Sequence, residues 1–498
     1  MASTLSEKIE SKNDMTHTNS CCSNVAEKQC NHLKYFKEFL RDLTKDAVTN
    51  EGGGGDVVGS EGVNVSCNGG GSGGVELRPF ILTRSNNESY AVAKDELSAE
   101  VIMCIWQWLV EKKCPEHFQV GVARFAEEEI NKELKNKKLQ EDLKATGGKQ
   151  VDDTSDQAAL DLLKLQKYIQ QQLDKVLLRL CDNSKEDNLK NYADCSRETL
   201  YRCSESASSS HTPYVEAHVK NKPRKMEDRH ICLPQFSNIY RLEKSLSFYG
   251  VFDGHSGSLA ATYAINQIPY RVAQQLNTIH NSSTLDSDCY RDALETSFLQ
   301  ADHNFCHKQL SSGTTAVCAL LLKDGDENFK HLYVAWVGDS RCLLVSPTVH
   351  LQLVKPHKPD SADEKKRIES TETGGSVIFV QGQWRVNGII NVSRSIGDYT
   401  VKAVIAEPDI VDVPLQSSHD FLLLGSDGLW DHVNEKEIVD CVYKSLADDE
   451  QCLEDIPKHL IELAKKGDSQ DNITVVLVLL KERQKIKEHF TKILNKSS

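Results

Sequence analysis

The chain predicts an α+β fold in which antiparallel sheets are covered by helices. Three apolar stretches, Phe248 to Asp253, Tyr333 to Asp339 and Phe421 to Asp427, have the length and the branched or aromatic content of buried strands. Further strand-like runs cluster between Thr212 and Leu480, with amphipathic helices at Leu259 to Leu276, Asp286 to Leu310, Ser361 to Thr373 and Ile456 to Lys466. Clustered strands, as opposed to strict strand–helix alternation, favour antiparallel sheets with helical cover.

The organisation along the 498 residues follows from composition. Residues 1–50 read as a partly disordered segment. Residues 51–75, rich in Gly with Ser, Asn and Asp, lose too much backbone entropy on ordering and bury too little to offset it, so they form a linker. Its glycines make no phosphate loop, because no Gly-Lys-Ser/Thr follows; Gly147-Gly148-Lys149-Gln150 fails in the same way, and ATP binding gains no support. Residues 76–182 are a helical regulatory or interaction region, with helices expected over Leu97 to Val110, Gln119 to Lys144 and Asp156 to Cys181. The last carries Leu162, Leu165, Ile169, Leu173, Val176 and Leu180 along one stripe, which either packs within this region or docks a protein partner through 157–181. A polar, Ser-rich linker spans 183–211, the main domain 212–481, and a basic tail 482–498 reads as a terminal helix or a regulatory amphipathic one.

A net charge of −14 argues against indiscriminate nucleic-acid binding, which relies on clustered Lys and Arg. No apolar run approaches the roughly 20 residues of a membrane-spanning helix. The sixteen cysteines show no paired framework and the start shows no signal segment, which points to reduced thiols in cytoplasm or nucleus. Cys21, Cys22, Cys30 and His32 are close enough for a zinc clip, though at no standard finger spacing.

The three apolar runs all end in an Asp beside a glycine. One Asp-Gly is commonly a tight turn that uses the positive φ of glycine. The repetition, joined by Glu227-Asp228 and by Asp471 just before Ile473 to Leu480, instead suggests carboxylates from separate strands converging on a metal. An oxygen-only ligand set takes hard cations, Mg²⁺ or Mn²⁺, ahead of Zn²⁺. Two such ions about 4 Å apart activate a water and neutralise phosphoryl oxygens during in-line attack. His255, two residues past Asp253, is placed to protonate a departing alkoxide.

Glu227-Asp228, Val251 to His255, Ser312 to Ala316, Gly338 to Arg341, Val392 to Asp398, Ser426 to Gly428 and Asp471-Asn472 together resemble the ordered motifs of metal-dependent type 2C protein serine/threonine phosphatases, over about Thr212 to Leu480. The resemblance implies an α-β-β-α sandwich of two antiparallel sheets with a cleft at one end that holds two Mn²⁺ or Mg²⁺ ions and a third, weaker one. It implies Asp253 bridging two ions, Asp427 and Asp471 completing one, and the Gly254 carbonyl with Glu227, through water, serving the other. Asp228 would orient the bridging water, Asp339 would serve the third ion and His255 would be the general acid. Arg224 to His230, Ala335 to Asp339 and Trp384 to Gly388 are most similar to the branch acting on calmodulin-dependent and p21-activated kinases, which implies phosphorylated kinases as substrates.

One departure stands out. Where the family places a phosphate-binding Arg, this chain has Pro223, with Arg224 one step later and Lys222 one step earlier. In a strand, a one-residue shift sends a side chain to the opposite face unless the backbone bulges, so either Arg224 is redirected, Lys222 substitutes as a point charge, or phosphate is held more weakly. An active phosphatase is the leading expectation. A pseudophosphatase-like scaffold that binds phosphoproteins is the alternative.

Overall fold

The computed structural model describes residues 89–114, 116–145, 159–181, 213–280, 286–324 and 328–497. The expected amino-terminal segment, both linkers and the Cys21, Cys22, Cys30, His32 group lie outside these residues.

The helical region comprises Leu97–Glu111, Glu116–Glu133, Lys137–Leu143 and Leu162–Cys181. The single helix expected over Gln119 to Lys144 is two. Asn136 leaves the helical conformation and its side chain accepts from the Lys138 amide at 3.0 Å, so it caps the second piece. The expected helix from Asp156 begins instead at Leu162. It is preceded by Leu160–Asp161, which pairs antiparallel with Ala91–Val92, while the Asp161 carboxylate accepts from Lys164 N at 3.0 Å.

Two five-stranded antiparallel sheets form the main domain. In the first the order is His350–Gln352, Arg341–Val345, Phe421–Gly425, Ile473–Leu479, Tyr214–Val219. In the second it is Asp409–Pro414, Asn328–Val337, Ala316–Asp324, Leu246–Phe252, Arg229–Leu233. Strand sides alternate between two apolar environments, which is why these segments read as unbroken apolar runs. Leu422, Leu424, Val476 and Val478 meet Tyr249, Val251, Val317 and Val334 between the sheets. Leu423, Leu477 and Val475 face outward onto the helices Glu435–Ala447, Ile456–Lys466 and Arg483–Ser497. The α+β sandwich of two antiparallel sheets flanked by helices is therefore the observed architecture.

Outside the second sheet, Phe248 and Phe252 pack under the helices Leu259–His280 and Ser287–Cys306, and the same continuous core takes in the amino-terminal helices. Leu162, Leu165, Ile169 and Leu173 are fully buried in it. These four residues are covered by the chain itself and offer no face to a partner; the side chains of Val176 and Leu180 lie outside the described residues. The basic tail behaves in the same way. Ile486 is fully buried, Phe490 stacks on Tyr443 at 4.6 Å, and His489 and Lys481 reach the buried Asp420 carboxylate at 3.0 and 2.6 Å. Among the described residues no helix is long and apolar enough to cross a membrane.

Candidate active site

In an antiparallel sheet the end of one strand lies beside the start of its neighbour, and this brings the acids to one end of the sandwich. Asp253 follows Leu246–Phe252 and Asp228 precedes Arg229–Leu233, with Arg229 opposite Phe252. Asp427 lies just past Phe421–Gly425 and Asp471 just before Ile473–Leu479, with Gly425 opposite Val475. Asp339 follows Asn328–Val337, whose Val337 pairs with Ala316 beside the Asp253 loop. Three short strands, Gly254–His255, Gly313–Thr314 and Ile396–Gly397, knit that loop in place. Thr315 N and Thr314 Oγ1 donate to the Asp253 carbonyl at 2.9 and 3.1 Å.

The Asp-Gly glycines are required by close approach and not by turning. Neither Gly254 nor Gly428 has positive φ. A Cβ on Gly254 would lie 2.5 Å from the Glu227 carbonyl oxygen, and one on Gly428 would lie 2.0 Å from that of Asn472. The motif thus lets the backbones carrying Glu227 and Asp471 pass against the Asp253 and Asp427 loops. The third differs: Gly338 does adopt φ +90°, and a Cβ there would meet Thr315.

The electrostatics of the cluster record this crowding. Burial, then the charges of Asp228, Asp427, Asp339 and Asp471, drives the Asp253 carboxyl far above its ordinary range. Burial also raises Asp427 to about 8, with Asp339, Asp471 and Asp431 adding and Lys358 opposing. Asp228 is raised to about 6 by burial, against the hydrogen bonds of Thr474 and Ser426; Thr474 Oγ1 donates to its Oδ2 at 2.7 Å. Asp339 Oδ2 pairs with Lys358 while its Oδ1 is buried without a hydrogen-bond partner. Mutually repelling, oxygen-only and in part unsatisfied, these groups fit a hard divalent cation. The trio of candidate ligand atoms within 4.8 Å of one another, among the described residues, is elsewhere: Glu216, His218 and His230.

His255 Nε2 lies 2.7 Å from Asp398 Oδ2, to which Ser395 Oγ donates at 2.5 Å. Asp398 was within a motif read from sequence, but nothing in the order of residues announced it as the histidine's partner. Asn472 was likewise missed in its role. Its Oδ1 accepts from Glu227 N at 2.7 Å, and its Nδ2 donates to the carbonyls of Lys220 and Lys225 at 2.8 and 3.1 Å, so one side chain braces the whole loop between two strands. Lys358, the partner of Asp339, also had no signal in the sequence.

The expectation for the phosphate-binding group needs correction in its premise. Residues 220–228 form a bent loop between Tyr214–Val219 and Arg229–Leu233, with Asn221 at φ 54°. Strand alternation therefore does not govern where Arg224 points. Arg224 and Lys222 are both exposed on this loop. A cavity of about 220 Å³ lined by Lys358, Pro359, Asp360, Gln383, Trp384 and Asn391 adjoins the acids through Lys358.

A sequence profile described as protein phosphatase 2C matches residues 213–473. Protein phosphatase 1E of Mus musculus is 32% identical over 405 residues, 80% of this chain and 48% of that protein. Protein phosphatase 1F of Homo sapiens is 36% identical over 277 residues, 54% of this chain and 57% of that protein. The chain spans about half the length of these curated relatives. Among solved structures, one titled as a C. elegans sex determining protein shares the fold with a TM-score of 0.60 at 23% identity, over 80% of this chain and 91% of that one. The profile match, across just over half of the chain, defines the class as protein phosphatases. The chain belongs to the protein phosphatase 2C family.

Proposed function

We propose that this chain hydrolyses phosphoserine and phosphothreonine in proteins, with phosphorylated kinases as its targets, using two Mn²⁺ or Mg²⁺ ions and a third, weaker one. The observation that carries it is the convergence of Asp228, Asp253, Asp339, Asp427 and Asp471 at one end of the sandwich, close enough for the neighbouring charges to add to burial in raising Asp253, Asp427 and Asp228. Asp253, Asp427, Asp471, Glu227 and the Gly254 carbonyl would hold the two ions, and Asp339 the third. Such ions, when bound, supply an activated water and offset phosphoryl charge.

The chain's own groups do the rest. His255 gives its proton to the departing serine or threonine oxygen, and Asp398 fixes the orientation of the imidazole. Asp228, held by Thr474, accepts a hydrogen bond from the attacking water. Arg224 or Lys222 supplies the positive charge that a phosphate needs near an otherwise acidic cleft. The kinase targets rest on the branch resemblance of Arg224 to His230 and Trp384 to Gly388. Cytoplasm or nucleus is the proposed location.

The test is release of phosphate from a phosphothreonine peptide copied from a kinase activation segment, with Mn²⁺, Mg²⁺ or EDTA. Full activity in EDTA, or undiminished turnover by Asp427→Asn, would remove the proposal.

A further inference from the structure

The two sheets of the sandwich end on the same side in edge strands, Tyr214–Val219 and Arg229–Leu233. Side-chain alternation shows which faces look into the gap between them. Val215 packs in the outer core while Tyr214 packs between the sheets, so Glu216 and His218 share the inward side with Tyr214. On the partner strand Ile231 and Leu233 face outward and Cys232 inward, so His230 also looks into the gap. Deeper in the sandwich the gap is closed by Tyr214 against Tyr249, at 5.8 Å between rings. At its mouth lie Glu216, His218 and His230.

The geometry of this trio is that of a ligand set. Glu216 Oε2 lies 3.5 Å from His218 Nδ1 and 3.2 Å from His230 Nε2, and all three atoms fall within 4.8 Å. A tetrahedral zinc ion about 2.0–2.1 Å from each of its ligands holds them about 3.4 Å apart. The side chains are 35%, 49% and 20% exposed, which leaves room for entry and for a water as fourth ligand. Two imidazoles and a carboxylate select zinc over the hard cations suited to the all-oxygen cleft.

We propose that Glu216, His218 and His230 bind one Zn²⁺ that clips the free edges of the two sheets together. Residues 216 and 218 precede the 220–228 loop and residue 230 follows it, so the clip closes the base of the loop that carries Lys222, Arg224, Glu227 and Asp228. Zinc at this site stiffens the loop without entering the cleft.

The full chain, stripped with EDTA and desalted into millimolar Mg²⁺, is titrated with Zn²⁺ against a chromogenic chelator. The wild type is expected to bind one equivalent that His218→Ala and His230→Ala weaken by about 100-fold or more, while Asp471→Asn retains it. X-ray absorption of the zinc-loaded wild type, which needs no variant, should show two imidazoles among nitrogen and oxygen neighbours. Unchanged stoichiometry and affinity in a His218→Ala/His230→Ala chain, loss of that equivalent in Asp471→Asn, or a shell without imidazole would each overturn the proposal.

Discussion

Glu100 is a buried carboxyl at the seam between the helical region and the helix Leu259–His280, and replacing it with Gln should change how stability depends on pH. It accepts from Tyr90 Oη at 2.9 Å, Gln267 Nε2 at 2.9 Å and Asn266 Nδ2 at 2.7 Å. Burial raises it from 4.5 to about 7, with those three hydrogen bonds opposing and the Glu96 charge adding. The folded state thus holds a proton that the unfolded chain releases near pH 4.5. The stability from that proton is complete below pH 4.5 and is lost as pH climbs through 7. A rise of this size corresponds to about 3 kcal/mol. Gln is neutral throughout and nearly isosteric. Its extra amide donor has an acceptor at hand once the Asn266 amide turns over, because Asn266 Oδ1 is buried without a partner. Relative to wild type, Glu100→Gln should therefore gain up to about 3 kcal/mol between pH 5 and pH 8. Hydrogen exchange of the Leu97–Glu111 amides at pH 5, 6, 7 and 8, at constant excess Mg²⁺, reads the opening free energy of this seam. Parallel profiles for the two proteins would refute the assignment of a neutral Glu100.

The remaining expectations concern the cleft. Gly428→Ala puts a methyl 2.0 Å from the Asn472 oxygen, so it should cost about 1–3 kcal/mol in thermal unfolding and raise the Mn²⁺ concentration for half-maximal activity by displacing Asp471. Asp398→Asn should lower kcat on a phosphothreonine peptide by about 100-fold. It should do far less to p-nitrophenyl phosphate, whose leaving group needs no proton, and equal losses on both substrates would mean that Asp398 does not act through His255. Asp427→Asn should abolish Mn²⁺-dependent turnover, measured as inorganic phosphate released.

The placement of these residues shows what the order of amino acids decides. Apolar runs of five to ten residues ending in an Asp beside a glycine set both the strands and the position of each such Asp at a strand end, because a segment buried on both faces must be apolar throughout and a carboxylate must wait for its exit. The strand-end positions of Asp253, Asp339 and Asp427 were therefore legible one by one. Helices with a single apolar stripe were legible too, though not their breaks: Asn136 ends one helix by a local cap that competes with a continuing periodicity.

Only the folded chain decided which groups meet. Asp398 is 143 residues from His255, Asn472 is 245 from Glu227 and Thr474 is 246 from Asp228, and no local pattern encodes such pairs. The glycines of Asp-Gly carry the same lesson. Read from sequence, they mark a tight turn or a carboxylate brought to a metal, and the close carbonyls of Glu227 and Asn472 show what the glycine itself is for, passage of one backbone against another. The stripe at Leu162 to Leu173 marked a buried face by its spacing alone, but what covers it is this chain's own core. Periodicity is a property of one element, whereas contact depends on how two elements approach, and that is fixed by packing the whole.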